Sequence, residues 1–152
     1  MKICLDARWI FPELSGIGLY TQELIKALAH TDRLNEYTLL FQDPAVLERT
    51  RAVTRFDQSP RVHTHLVDYG VFSLKNQIRL PRFLADGKFD LYHSTNYMMP
   101  LLCFGNVKRA VTIHDLIPLL FPDHAPRSLK TRLFPLYKGL MLEVGAKADM
   151  II

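Results

Sequence analysis

Short apolar runs alternate along this chain with stretches whose apolar residues recur at helical spacing. The first run, residues 3–5, begins almost at residue one, and a loop and a helical pattern from Ile17 follow it. Further strands are predicted at 37–41, 62–67, 91–96, 110–113 and 148–152, with helices at 45–53, 74–85 and 129–144. This alternation predicts an α/β fold, a Rossmann-like mostly parallel sheet with helices on both faces.

Several local features make this prediction specific. The third strand alternates apolar with polar residues, which places it nearer an edge of the sheet. Pro81 is expected to strain or restart its helix because proline lacks the backbone donor, and Pro135 is expected to kink the last helix. The first helix is expected to bury Ile17, Tyr20, Leu24, Ile25 and Leu28, and to expose Gln22, Glu23 and Lys26.

The amino-acid composition and net charge limit which classes of protein this chain can belong to. An apolar content of 49% over 152 residues suffices for one domain with a buried core. The net charge of +4 favours an anionic partner without choosing among phosphate, lipid headgroup and nucleic acid. The basic groups at 49–61 and at Lys75, Arg79 and Arg82 are interpreted as solvated helix faces.

The two cysteines and the N-terminal residues indicate in which cellular compartment the protein is found. Cys4 lies in an apolar strand and Cys103 is its one possible partner, so no disulfide framework is expected and a reducing environment fits best. Asp6 interrupts the first apolar run too early for a signal peptide, and no run reaches membrane-spanning length. We therefore expect a cytoplasmic protein.

Three polar segments follow predicted strands: residues 6–18 after the first, 93–96 after the fourth, and 114–115 after the fifth. Ligands of open parallel sheets bind at the carboxyl ends of the strands, near the point where strand order reverses. If the order is 3-2-1-4-5-6, these segments converge on one edge of the sheet, which is where we expect the functional site.

The segment Ser15, Gly16, Ile17 and Gly18 opens the first helix. Without side chains at the glycines, an anionic or hydroxyl-rich ligand can approach the free N–H groups at the helix N-terminus. The alternative is that the glycines only permit a tight turn and close helix packing. This is not the full G-x-G-x-x-G pattern, and no acidic residue ends the second strand, which argues against a dinucleotide oxidoreductase.

His114 follows the fifth strand and is the leading candidate for chemistry, because imidazole donates, accepts or carries charge near neutral pH. The alternative is a structural hydrogen bond. Asp115 is expected either to fix the tautomer of His114 or to cap the next turn. His93 and Asn96 are weaker candidates for binding, since polar residues commonly close strands.

Metal-ligand spacing is absent from the sequence, with neither CxxC nor HExxH, so no metal or other cofactor is expected. Trp9 and Phe11 lie in the first loop, where the sheet does not need large apolar residues. They are expected to pack against a sugar, a lipid or another domain, or else to form a local lid on the core.

Taken in order, several motifs resemble the N-terminal domain of a GT-B glycosyltransferase, specifically the retaining family 4 group that includes many bacterial mannosyltransferases. The resemblance covers nearly the whole chain, and the stretch from Val111 to Pro118 is its most specific part. The motifs are Asp6-Ala7-Arg8, Ser15-Gly16-Ile17-Gly18 with Tyr20, His93-Ser94-Thr95-Asn96-Tyr97, Val111-Thr112-Ile113-His114-Asp115-Leu116-Ile117-Pro118 and Ala148-Asp149-Met150-Ile151-Ile152.

The resemblance implies that residues 1–152 are one acceptor-side domain, cut within its last strand, and inactive without a C-terminal donor-binding domain that carries a glutamate pair. It implies that Arg8, Gly16 and Gly18 lie near the donor diphosphate or the acceptor, and that His114 reaches the transferred sugar. Transfer is expected to retain the anomeric configuration and to need no metal. Some relatives have paired glycines where this chain has Ser15 before Gly16.

The partners implied are a nucleotide-sugar donor and a glycan or lipid-linked acceptor, as in polysaccharide biosynthesis, and not nucleic acid. Peripheral membrane contact is expected through Arg127, Lys130 and Arg132, which lie beside apolar positions of the last helix. The alternative function is a non-catalytic module that binds a nucleotide or a partner on the same fold.

Overall fold

A computed structural model describes residues 1–121 and 134–152. Six strands form a single sheet in the order β3-β2-β1-β4-β5-β6, and every neighbouring pair is parallel. The predicted fold class is confirmed, together with the strand order on which the predicted site depends. The strands are β1 (Lys2–Asp6), β2 (Glu36–Phe41), β3 (Val62–Leu66), β4 (Leu91–Ser94), β5 (Lys108–Val111) and β6 (Met150–Ile151).

Helices connect these strands, and three of them begin at a side-chain cap. Ser15, Asp43 and Ser73 each accept a hydrogen bond from a backbone N–H of the turn that follows, which satisfies a donor that has no partner within the helix. The helices are α1 (Gly16–Thr31), α2 (Pro44–Thr54), α3 (Leu74–Asp86), α4 (Ile117–Leu120) and α5 (Phe134–Lys147), with one-turn 3-10 helices at Ala7–Trp9 and Phe56–Gln58.

Apolar side chains cover both faces of the sheet, because successive residues of a strand point to opposite sides. In β1, Cys4 belongs to a core with Leu80 and Leu84 of α3 and Val144 of α5. Its neighbour Leu5 belongs to a second core on the other face, which α1 and α2 cover. The sheet is therefore a central layer between two helical layers.

Both cysteines carry free thiols. Burial, and then the negative charge of Asp6, raise the pKa of the Cys4 thiol far above its usual value. The thiol consequently behaves as a small apolar group of the core.

Three local predictions need correction. Gln22 is buried rather than exposed, because the inward face of α1 is formed by Gly18, Thr21, Gln22, Ile25 and Ala29. α3 continues through Pro81 without a break, and the buried proline ring packs in the core with the residues around it. Strand β5 begins and ends two residues before the predicted 110–113.

The last predicted helix is described only from Phe134 onward. Leu129 and Leu133, and the residues before Pro135 that a kink would involve, lie outside the described residues, as do Arg127, Lys130 and Arg132. Within the described ranges, no helix has the length and apolar character needed to cross a membrane.

Candidate functional site

The carboxyl ends of β1, β4 and β5 meet the N-terminus of α1 at one edge of the sheet. Asp6 at the end of β1 is in register with Ser94 of β4, and Ser94 with Val111 of β5. Tyr20, in the second turn of α1, packs edge-on against His114, with 4.8 Å between ring centroids. The strand order and this contact therefore bring α1 and His114 to the same edge of the sheet.

The two glycines of the α1 turn differ in their surroundings. A Cβ atom at Gly18 would lie 3.1 Å from Leu14 Cδ1 and 3.6 Å from the Ile10 Cα, so Gly18 permits close packing of the helix on the first loop. A Cβ atom at Gly16 would meet no atom within 4 Å. The N–H groups of Gly16 and Ile17 lie in the first turn of α1, where no preceding helical carbonyl can accept from them; Gly16 is exposed and Ile17 is half-buried.

Ser15 completes the turn. Its Oγ accepts a hydrogen bond from the Gly18 N–H at 3.2 Å, and its carbonyl accepts one from the Leu19 N–H at 2.9 Å. The packing explanation thus accounts for Gly18 and Ser15, whereas Gly16 faces open space that a ligand can occupy.

Among the described residues, His114 makes one hydrogen bond, through one nitrogen of its ring. Its Nε2 lies 2.9 Å from the Thr95 carbonyl oxygen. Because a carbonyl can only accept, Nε2 carries the proton, and Nδ1 of the neutral ring is an acceptor. The side chain is exposed. The structural hydrogen bond therefore fixes the tautomer and leaves Nδ1 as the group that can serve a ligand.

Asp115 caps the turn that follows. Its Oδ1 accepts a hydrogen bond from the Ile117 N–H at 3.1 Å, at the start of α4. Of the two roles expected for this residue, the geometry supports the cap, since the Thr95 carbonyl sets the tautomer of His114.

His93 and Asn96 lie below the surface of the same edge. His93 Nε2 is 2.9 Å from Thr112 Oγ1, and that oxygen is 3.4 Å from the Tyr20 hydroxyl. Burial lowers the pKa of His93. Asn96 is buried and its Oδ1 accepts a hydrogen bond from the Tyr97 N–H at 2.9 Å. Both residues are therefore buried beneath the exposed surface of this edge.

We expect His93 to make stability depend on pH. Below about pH 6.5 the unfolded chain takes up a proton on this side chain that the folded chain resists, so the free energy of unfolding falls as pH falls. His93→Gln removes this contribution. Urea unfolding at about pH 7.5 and about pH 5.5 should show a smaller loss of stability in the variant than in the wild type, and equal losses would contradict the assignment.

Asp6 and Arg8 form a buried ion pair at the end of β1. Arg8 donates from Nε to Asp6 Oδ1 at 2.9 Å and from a terminal nitrogen to Oδ2 at 2.6 Å. The Tyr92 hydroxyl donates to the same Oδ2 at 2.6 Å. Burial lowers the pKa of Arg8, but the charge and hydrogen bond of Asp6, together with Tyr92 and Tyr69, more than offset it and raise the pKa. Burial and then Asp6 raise the pKa of Tyr92.

The remaining donors of Arg8 bind distant parts of the chain. They reach the Tyr69 carbonyl at 3.3 Å and Asn76 Oδ1 at 2.8 Å, while Asn76 Nδ2 donates to the Val71 carbonyl at 2.9 Å. Arg8, predicted to bind a ligand, is only 4% exposed. Its guanidinium is used within the protein, where it ties β1 to α3 and to the loop before it.

Aromatic rings form a cluster beside the glycine turn. Trp9 packs against Phe72, Tyr97 and Phe11, with centroid distances of 5.5, 5.7 and 6.2 Å, and Tyr97 also contacts Tyr137 of α5 at 5.6 Å. Trp9 is buried, which agrees with a local lid, whereas Phe11 and Phe72 are exposed. The sequence analysis did not predict that Phe72, Tyr97 and Tyr137 would join this cluster, because nothing in the sequence shows that their segments meet.

A concavity lies at the opposite edge of the sheet, near the amino ends of β4 and β5. Lys88, Asp90, Phe104 and Lys108 are among its lining residues, and it contains none of the predicted site residues. At the carboxyl edge, His114 and Gly16 are both exposed.

Comparison with known proteins gives one distant relationship. The chain is 26% identical over 136 residues to the O-antigen chain mannosyltransferase B of Escherichia coli, an alignment that covers 84% of this chain and 35% of that protein. The chain thus spans about a third of the length of this relative. No protein-family model and no solved structure matches the chain.

Proposed function

We propose that this chain is the acceptor-side, N-terminal domain of a GT-B glycosyltransferase, which transfers a sugar from a nucleotide-sugar donor to a glycan or lipid-linked acceptor. The observation that carries the proposal is the meeting of His114 with the N-terminus of α1 on one open edge of the sheet. The distant similarity to a mannosyltransferase supports the same class of reaction.

The open edge supplies half of a cleft in this proposal, and a C-terminal donor-binding domain supplies the other half. A departing nucleoside diphosphate accumulates negative charge, which the first-turn N–H groups of α1 beside the open space at Gly16 would stabilise without a metal ion. Closure of the two domains over the donor would exclude water and suppress hydrolysis of the activated sugar.

His114 has a defined part in this arrangement. With its Nε2–H held by the Thr95 carbonyl, the ring presents Nδ1 as an acceptor for a hydroxyl group of the transferred sugar. Tyr20 packs edge-on against the ring, and its hydroxyl lies near Thr112 Oγ1, which also contacts His93 Nε2. Retention of the anomeric configuration and membership of family 4 belong to this proposal through the motif resemblance.

Gly16→Ala tests the proposal in the full-length protein. The added methyl group meets no protein atom, so the free energy of unfolding should stay within about 1 kcal/mol of the wild type. The same methyl group covers the N–H donors of the helix end, so the KM for the nucleotide sugar should rise about tenfold in a transfer assay.

Gly145→Ala in α5 is the matched control, because a Cβ atom there also meets nothing within 4 Å. It should leave KM unchanged and raise the free energy of unfolding by no more than about 1 kcal/mol, because alanine favours the helix more than glycine does. A wild-type KM in Gly16→Ala would remove the glycine turn from the donor site, and absence of transfer with every nucleotide sugar tried would refute the proposed function.

A further inference from the structure

Strand β3 lies at one edge of the sheet, with β2 on one side and no strand on the other within the described part of the chain. Four of its five residues, His63, Thr64, His65 and Leu66, are exposed. The strand has none of the features that usually protect such an edge: it contains no lysine and no proline, and its register with β2 has no bulge. Its outer backbone groups are therefore open to another strand.

The hydrogen bonds with β2 show which backbone groups of β3 point outward. The carbonyl at position 61 accepts from β2 at 2.8 Å, and the N–H at position 67 donates to β2 at 2.9 Å. In a parallel pair, alternate residues of a strand bond to the same neighbour, so the odd-numbered residues between these two also bond to β2. The N–H and C=O groups of Thr64 and Leu66 consequently point away from the sheet.

The sequence of β3, Val-His-Thr-His-Leu, is almost the same in both directions. Antiparallel pairing of two copies about a two-fold axis at Thr64 places Val62 opposite Leu66, and His63 opposite His65. The N–H and C=O groups of Thr64 then bond to those of Thr64 in the second copy, and the Leu66 N–H of each copy can donate to the Val62 carbonyl of the other. The outer edge of β3 is therefore complementary to itself.

His63 and His65 lie on the same face of the sheet, because they are two positions apart in a strand. This is the face that α3 covers, since the His65 ring stacks on Phe83 of α3 with 4.4 Å between ring centroids. In the paired arrangement, His63 and His65 of the second copy form a non-hydrogen-bonded pair, in which the Cα atoms are only about 4.5 Å apart. Their side chains would be close neighbours.

Within one copy, the described residues contain no group of three or more side chains that could hold a metal ion. Two copies paired through β3 bring four imidazoles to one face of the joined sheet. Among the described residues, neither His63 nor His65 has a side-chain hydrogen-bond partner, so their nitrogens are available as ligands. Imidazole binds Zn²⁺, Cu²⁺ and Ni²⁺, and four such nitrogens at about 2 Å complete the tetrahedral shell of Zn²⁺.

We propose that two copies of this chain pair through β3 in the antiparallel register centred on Thr64, and that the four histidines brought together bind one divalent transition-metal ion. Five residues per copy are few beside the roughly 20–30 a side of a stable interface, so the strands alone would associate weakly. The ion strengthens the association because it binds the dimer and not the separate chains. Three strands separate β3 from β5, which His114 follows, so the proposal stands independently of the transfer reaction.

Analytical ultracentrifugation of the chain in Zn²⁺ and in EDTA tests the proposal. Zn²⁺ should lower the dissociation constant of the dimer at least about tenfold, and a calorimetric titration should end at one ion per two chains. His63→Ala with His65→Ala should abolish this effect of Zn²⁺. In EDTA, His63→Ala should unfold like the wild type, because its ring has no hydrogen-bond partner among the described residues.

Thr64→Pro tests the strand pairing separately from the metal. Proline removes an N–H group that points outward, and an edge strand tolerates proline at such a position, so circular dichroism should show that the fold is kept. Association should weaken at least about tenfold, both in Zn²⁺ and in EDTA. Thr64→Val keeps the N–H group and is the matched control, which should dimerise like the wild type.

A cysteine on the two-fold axis tests the register. In Thr64→Cys the Cα atoms of the two cysteines would be about 5.5 Å apart, within the range of a disulfide, so mild oxidation should link two chains. Leu66→Cys is the control, because position 66 lies opposite position 62 and its thiol is too far from its own copy. Both variants keep Cys4 and Cys103, so the native thiols contribute equally.

Three results would overturn the proposal: a chain that stays monomeric in Zn²⁺, an effect of Zn²⁺ that survives loss of both histidines, or a disulfide that forms at position 66 and not at position 64. A titration that ends at one ion per chain would overturn the four-histidine site as well. A folded chain that fails these tests but transfers sugar in the full-length protein would leave the proposed function standing.

Discussion

His114→Ala is expected to lower sugar transfer by the full-length protein about 10²–10³-fold while the protein stays folded. The exposed ring makes one hydrogen bond, to the Thr95 carbonyl, so its loss should reduce the free energy of unfolding by only about 1 kcal/mol. The loss of activity follows from removal of Nδ1, the acceptor that the tautomer presents to the sugar. Initial rates of transfer and thermal unfolding would measure the two effects separately.

A second substitution distinguishes the two nitrogens of the ring. The amide of His114→Gln can still donate to the Thr95 carbonyl, but it has no acceptor at the place of Nδ1. We therefore expect stability near the wild type and activity as low as in the alanine variant. Substitution of the exposed His63 on β3 by alanine should leave both properties unchanged. Wild-type turnover in His114→Gln would assign the residue a structural role only.

Arg8→Met is expected to lower the free energy of unfolding by about 3–5 kcal/mol. The substitution leaves the Asp6 carboxylate buried without its cation, and it also removes the partners of Asn76 Oδ1 and of the Tyr69 carbonyl. An uncompensated charge in the core is among the most costly changes that a single substitution makes. Urea denaturation followed by circular dichroism would measure the effect.

The double variant Asp6→Leu with Arg8→Met shows whether the cost comes from the unpaired charge. Without either charge, the loss of stability should be smaller than the sum of the two single losses. Lys147→Met breaks the exposed pair with Glu143 and should cost less than about 1 kcal/mol. An Arg8→Met variant as stable as this control would show that the buried pair contributes little.

The periodic pattern of apolar residues was enough to predict the sheet and its helices. Residues 3–5 are apolar without interruption and form a central strand, whereas the alternating residues of β3 form an edge strand. Where the pattern failed, a tertiary contact decided the outcome. Gln22 is buried because α1 places Gly18, Ile25 and Ala29 inward, a face rotated from the one that the larger apolar residues indicated.

The candidate site likewise combines features that the sequence predicted with features that only the structure shows. Positions after the strands predicted that α1 and His114 would lie at the same edge, since parallel strands have their carboxyl ends at one edge, and Tyr20 of α1 contacts His114 there. The sequence did not show that Asp115 would cap a turn, that Thr95 would set the tautomer of His114, or that Tyr20 would contact the ring. Each of these facts depends on the direction of a side chain.

By itself, then, the sequence determined which segments are strands and helices, and which edge of the sheet gathers polar residues. Only the tertiary structure decided what those polar residues do. Arg8 is the clearest case, because its partners at Tyr69 and Asn76 stand 61 and 68 positions along the chain. A segment that buries one face has apolar residues at regular spacing, so its burial can be predicted from the sequence. A hydrogen bond between distant segments has no such pattern, because its partners meet only when the chain folds.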